Sequence, residues 1–182
     1  FVKVVPIRVA NRVELFYNSA IAQAFDYVHG LTAGKGPESA VAVISMSMGG
    51  LASRAWADAV NALYEAGVVV VTAAGNNFGN LPTRNIVYPA RFNRVIAACG
   101  VMADHSPYAD LALRKMAGNY GPDSKMRTAL AASTPNVPWA KFGCADVVDF
   151  DGAGTSAATP QIAAAAAMWL QKNKVACDAY SH

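Results

Sequence analysis

At 182 residues with 54% hydrophobic and 15% charged side chains, the chain must bury a sizeable core, which argues against a disordered tail or a coiled coil. Its longest apolar run, residues 162–170, is about half the 18 or more residues of a membrane span. The net charge of +3 comes from scattered basic residues, unlike a nucleic-acid surface, and Cys99, Cys144 and Cys177 form no CxxC pair, which argues against zinc and allows at most one intrachain disulfide.

The chain opens inside an apolar run without an initiator methionine or a leader, so it reads as part of a longer product. Residues 1–9 have the character of a buried strand. Asn18 and Ser19 then supply a cap signal for a helix with Ile21, Phe25 and Val28 on one face, and Gly30 as its stop. Residues 41–46 predict the next strand, ending in the tight loop Ser47-Met48-Gly49-Gly50.

Ser53 predicts the cap of a helix to about Ala66, with Trp56, Val60, Leu63 and Tyr64 inward and Gly67 as the left-handed terminator. Residues 68–73 are almost all aliphatic, as in a parallel strand covered on both faces, and residues 95–101 repeat the pattern. From 103 to 150 prolines and mixed polarity predict loops and short strands. An alanine-rich helix follows from Ser156 to about Lys172. Strands alternating with helices predict an α/β fold with a mainly parallel sheet.

Two segments carry chemistry. In Gly152-Ala153-Gly154-Thr155-Ser156-Ala157-Ala158-Thr159-Pro160 the glycines permit a sharp turn and close approach. Ser156 falls in the first helical turn, where unpaired N–H groups favour developing negative charge. On local composition alone, a serine that merely caps the helix is the commoner reading. The second segment, residues 68–77, runs a buried strand into Ala73-Ala74-Gly75-Asn76-Asn77 and delivers an amide at the strand's C-terminal end, where α/β sheets bind ligands. Taken alone, Gly-Asn-Asn is an ordinary turn.

Together, in this order, the two segments resemble the subtilisin-like peptidase family. Residues 43–50 are similar to its substrate-binding strand and loop, and Tyr88-Pro89-Ala90 followed by Val95-Ile96-Ala97 agrees in spacing. The resemblance covers about residues 1–102 and 128–172. It implies a three-layer α/β/α fold, with the 182 residues forming the C-terminal part of a single peptidase domain that lacks its N-terminal strands.

It further implies Ser156 as nucleophile and Asn76 as oxyanion donor. Ser47, Met48 and Gly49 would bind an extended peptide, with Gly49, Gly50, Ala73, Ala74 and Gly75 as pocket walls and Thr155 beside them. Small walls suggest room for a large apolar side chain. Met48 reads equally well as core.

The family's Asp and His lie upstream of residue 1, and His29, His105 and His182 match no catalytic motif and read as surface residues. The resemblance thus implies an N-terminal fragment of the same protein as partner, a peptide or protein substrate, and little activity from these residues alone. No cofactor is required for the chemistry; structural calcium is assigned to no residue, and Asp146, Asp149 and Asp151 read as solvated loop carboxylates. Secretion or a cell-envelope location rests on family analogy.

Two other functions compete. A catalytically dead peptide-binding module would need neither Ser156 nor Asn76. An α/β-hydrolase elbow wants Gly-x-Ser-x-Gly, where this chain has Ala158 at the last position, and only Asp178 and His182 follow as partners.

Overall fold

The computed structural model describes residues 2–11, 19–34, 40–78, 85–110 and 116–174. Phe1, Asn18, Cys177, Asp178 and His182 therefore lie outside the described residues, as does much of the loop before Met116. The elements run α1 (Ser19–Thr32), β1 (Val43–Met46), α2 (Arg54–Glu65), β2 (Val69–Ala73), β3 (Asn76–Phe78), β4 (Ile96–Val101), β5 (Met116–Gly118), α3 (Asp123–Met126), β6 (Ala129–Ser133), β7 (Val137–Ala140), β8 (Val148–Gly152) and α4 (Gly154–Lys172).

Four strands form a parallel sheet in the order β1-β2-β4-β6. Alternation along β2 divides its side chains between two cores. Val70 faces Ile21, Phe25, Trp56, Val60 and Leu63 of α1 and α2. Val71 faces Ile162 and Ala163 of α4, with Val69 packed on the same side. Helices cover both faces, which is the three-layer α/β/α arrangement expected. Among the described residues, no helix is long and apolar enough to cross a membrane.

The α2 helix follows its sequence signals closely. The Ser53 side chain accepts from the Trp56 N–H at 3.2 Å, satisfying one of the unpaired first-turn donors. Gly67 follows the last turn at φ +77°, a conformation that strains other residues. Trp56 and Leu63 are 0% exposed; burying one such side chain contributes about 1.5–3 kcal/mol. Tyr64 departs from expectation and is exposed. It sits about 80° around the helix from Trp56, at the stripe's margin, where the Arg94 guanidinium lies 4.4 Å from its ring centroid.

Two other expectations are corrected. Residues 2–9 form no strand, and Val2 and Val4 are 71% and 79% exposed. An extended apolar segment becomes a strand only against a partner, and none of the described strands lies along it. Gly30 does not stop α1, which continues to Thr32, with Gly34 at φ +70° beyond it. Within the stretch expected to hold loops and short strands, residues 129–133 form β6, a member of the parallel sheet, paired from Ala97↔Ala129 to Val101↔Ser133.

Among the described residues, the outer edge of β1 pairs with no strand. Cys99 on β4, which is buried, and Cys144, which is exposed, are both free thiols.

Candidate active site

Ser156 and Asn76 arise from different elements, meeting where β2 and α4 approach. The short β3 strand, paired antiparallel with β5 as Asn76↔Gly118 and Asn77↔Ala117, carries Asn76. Gly-Asn-Asn is thus strand-paired, not an isolated turn. Gly75 makes the preceding bend at φ +94°.

Asn119, at the end of β5, locks this loop in two places. Its N–H donates to the Gly75 carbonyl at 2.8 Å, and its side-chain carbonyl accepts from Asn77 Nδ2 at 3.2 Å. It is only 2% exposed. Its place in an Asn-Tyr-Gly-Pro run carried only a loop signal, and sequence reasoning missed it.

Helix α4 begins two residues earlier than expected, at Gly154. Its cap residue, Ala153, has no side-chain acceptor to offer. The acceptor comes instead from Asn76, whose Oδ1 takes the Thr155 N–H at 3.0 Å. The Thr155 hydroxyl lies 3.3 Å from the same oxygen and accepts from the Gly75 N–H at 3.1 Å. A Cβ on Gly154, which sits at φ +72°, would lie 3.0 Å from both Nδ2 and Oδ1 of Asn76. Backbone and side chain of Asn76 are therefore both fixed. With Oδ1 committed to the helix, Nδ2 has no hydrogen-bond partner among the described residues, and it is the group able to donate to a developing oxyanion.

Ser156 occupies the first turn of α4 and is half-buried. Its hydroxyl does not cap the helix. Oγ makes one long contact, 3.5 Å to the Ser47 carbonyl, beyond the usual O–H···O range. The backbone of Ser156 is held more firmly, its carbonyl accepting from the Ser47 hydroxyl at 2.8 Å. Pro160 explains that bond. Four residues on, it has no N–H to give to the Ser156 carbonyl, and an element outside the helix supplies the donor. Pro160 is the seventh residue of the helix.

The other expected site residues divide by burial. Ser47, Met48, Gly49, Gly50 and Gly75 are half-buried beside this centre, while Ala73 and Ala74 are 4% and 0% exposed. Gly50 forms a bridge with Tyr88, its N–H donating to the Tyr88 carbonyl at 2.8 Å. Thr155 is 0% exposed, with its hydroxyl engaged by Gly75 and Asn76. Its hydroxyl reaches the Gly75–Asn76 loop, and its side chain does not reach the surface.

Tyr108, also unpredicted, is 1% exposed and packs against Gly100 and Gly118, with its phenol in hydrogen-bond reach of the Gly154 backbone. Burial, and then the charge of Asp110, hold it in the neutral form.

No histidine supplies a base to Ser156 among the described residues. His29 lies on α1 and His105 in an exposed turn after β4. Asp149 pairs with Lys141 at 3.8 Å, and Asp151 accepts from Trp139 Nε1 at 2.7 Å. Among the described residues, no group of three or more His, Cys, Asp or Glu could hold a metal ion. A cleft of about 720 Å³, lined by Val68, Ile96 and Leu170 among others, opens at the N-terminal ends of the strands, the opposite end of the sheet from Ser156.

Residues 1–179 match the model of the subtilase family, peptidase S8. The chain is 33% identical over 132 residues to subtilisin DY of Bacillus licheniformis, an alignment covering 71% of this chain and 43% of that protein. It is 30% identical over 132 residues to subtilisin E of Bacillus subtilis strain 168, covering 72% of this chain and 31% of that one. The chain thus spans less than half the length of these relatives. Its fold is similar to that of the prenylagaramide maturation protease PagA, with a TM-score of 0.71 at 20% identity over 93% of this chain and 55% of that one.

Proposed function

The chain belongs to the subtilase family of serine peptidases, and on that premise we propose that it carries the nucleophilic half of an endopeptidase site. Ser156 Oγ attacks the scissile carbonyl. The Asn76 side-chain amide and the Ser156 backbone N–H hold the negative charge that develops on its oxygen. An extended peptide lies along residues 47–49 by strand addition. The proton of Ser156 passes to a histidine oriented by an aspartate, both carried by an N-terminal part of the same protein that pairs along the open edge of β1. Collapse of the tetrahedral species breaks the C–N bond, the same base returns the proton to the leaving amine, and water then releases the acyl group.

The observation that carries this reading is the bond between Thr155 N and Asn76 Oδ1. It ties the helix bearing Ser156 to the strand bearing Asn76 and, by engaging Oδ1, leaves Nδ2 as the atom with a hydrogen to donate.

The test is hydrolysis of an unfolded protein substrate by the complete gene product and by its Ser156→Ala variant. Cleavage by the former, lost in a variant that still folds, supports the proposal. Equal cleavage by both would overturn it.

A further inference from the structure

Gly49 and Gly75 stand where small residues suggested room for a large substrate side chain. That room is taken. A Cβ built on Gly49 would lie 2.5 Å from Val87 Cγ2, and one built on Gly75 would lie 2.9 Å from both Val87 methyl carbons. Such distances are shorter than real Cβ contacts, so a single valine packs against both backbone walls at once.

The backbone holds Val87 there from two sides. Its N–H donates to the Ala74 carbonyl at 3.0 Å, and the adjacent Tyr88 carbonyl accepts from the Gly50 N–H at 2.8 Å. The pair Val87-Tyr88 therefore bridges one wall to the other. Arg91 N–H closes a turn on the Val87 carbonyl at 2.9 Å, fixing the segment beyond. A β-branched side chain has few alternative rotamers, and the neighbouring Ile86 is buried. Shifting this backbone aside would break its hydrogen bonds to both walls.

We propose that Val87 is the specificity-determining residue of the Ser156 site. By filling the space between Gly49-Gly50 and Ala74-Gly75 it restricts the substrate residue on the N-terminal side of the scissile bond to a small side chain: glycine, alanine or serine. This rests on the reading of Ser156 as nucleophile. An aromatic side chain needs a cavity in which to bury its ring, and forcing added volume into packed space strains its surroundings.

The test uses the complete gene product and peptides differing only at that position. In the wild type, kcat/KM for alanine should exceed that for phenylalanine by at least about tenfold, the scale on which pocket volume discriminates. In Val87→Gly the phenylalanine-to-alanine ratio should rise by at least about tenfold, and in Val87→Ala by less. Val87→Ala serves as the informative variant if glycine prevents folding.

Two further readouts separate this inference from the one beneath it. Fluorophosphonate labelling reports on Ser156, while competition between product peptides ending in alanine or phenylalanine reports on the pocket. Failed labelling, with the alanine preference retained in the wild type and shifted in the variants, supports Val87 and overturns only the nucleophile. Successful labelling with no preference, or a preference unmoved by the variants, overturns Val87. Absence of labelling together with absence of binding by either peptide overturns both.

Discussion

The hydroxyl of Ser47 donates to the carbonyl of Ser156 at 2.8 Å, the acceptor that Pro160 leaves without a helical partner. A proline in a helix and a serine 113 positions earlier in the chain thus form one device. It fixes the backbone of Ser156 to the end of β1 while leaving the Ser156 side chain weakly held.

Ser47→Ala removes that donor, and leaving the carbonyl unsatisfied costs about 1–2 kcal/mol. Pro160→Ala restores a helical N–H for the same carbonyl, so the cost of Ser47→Ala should shrink in that background. Urea unfolding of both single variants and the double variant should show a coupling above about 0.5 kcal/mol. Additive effects would mean that the two residues act separately.

Asn76 serves two ends with two atoms, and two substitutions separate them. Asn76→Asp keeps an acceptor for Thr155 N, favoured further at a helix N-terminus, but replaces the donor with negative charge. It should fold with near-native stability and lose activity. Asn76→Ala should lose both stability and activity. A fall in kcat of about 10²–10³ is the magnitude known for loss of this donor in subtilisin itself, not one calculated from this geometry. Thermal melts paired with kcat measurements check the split.

Thr155 tests the bracing of that amide. Thr155→Val leaves the Gly75 N–H without its 3.1 Å acceptor in a fully buried position, a loss of about 1–3 kcal/mol. Thr155→Ser keeps the hydroxyl and should retain most activity. A valine variant as stable and as active as the serine one would contradict the bracing role.

Cys99 gives a pH-dependent expectation. Burial pushes its thiol up to about 11 from an ordinary value of 9.0. A group whose value is higher in the folded state than in the unfolded state binds its proton more tightly when folded. Its contribution is therefore intact below about pH 9 and lost as pH rises through about 11. Wild type should lose stability across that window more steeply than Cys99→Ala, read from urea midpoints at several pH values. In the folded protein, Cys144 should react with iodoacetamide well before Cys99.

The main sheet was legible wherever local composition and tertiary role agree. The aliphatic β2, and α2 between Ser53 and Gly67, can be read directly, because each carries its own start, stop and buried face. β6 could not: Ala-Leu-Ala-Ala-Ser has no strand signature and is made a strand by its register with β4. Residues 2–9 show the converse, a strand pattern with no partner. In the candidate site, the place of Ser156 in a first helical turn and of Asn76 beyond the end of β2 was legible from their flanking glycines and alanines. Asn119, Val87 and the bracing by Thr155 were not, since each depends on contacts between segments far apart in sequence. The start of α4 was misplaced by two residues for the same reason, its capping atom belonging to Asn76.

Fluorophosphonate labelling of the complete gene product, with the modified residue mapped by mass spectrometry on every polypeptide present, tests the central claim most directly. The account predicts a single adduct on Ser156, abolished by replacing the histidine of the N-terminal part. A folded sample that contains that part with its Asp and His, yet leaves Ser156 unmodified, would contradict it and point to a peptide-binding module without catalysis.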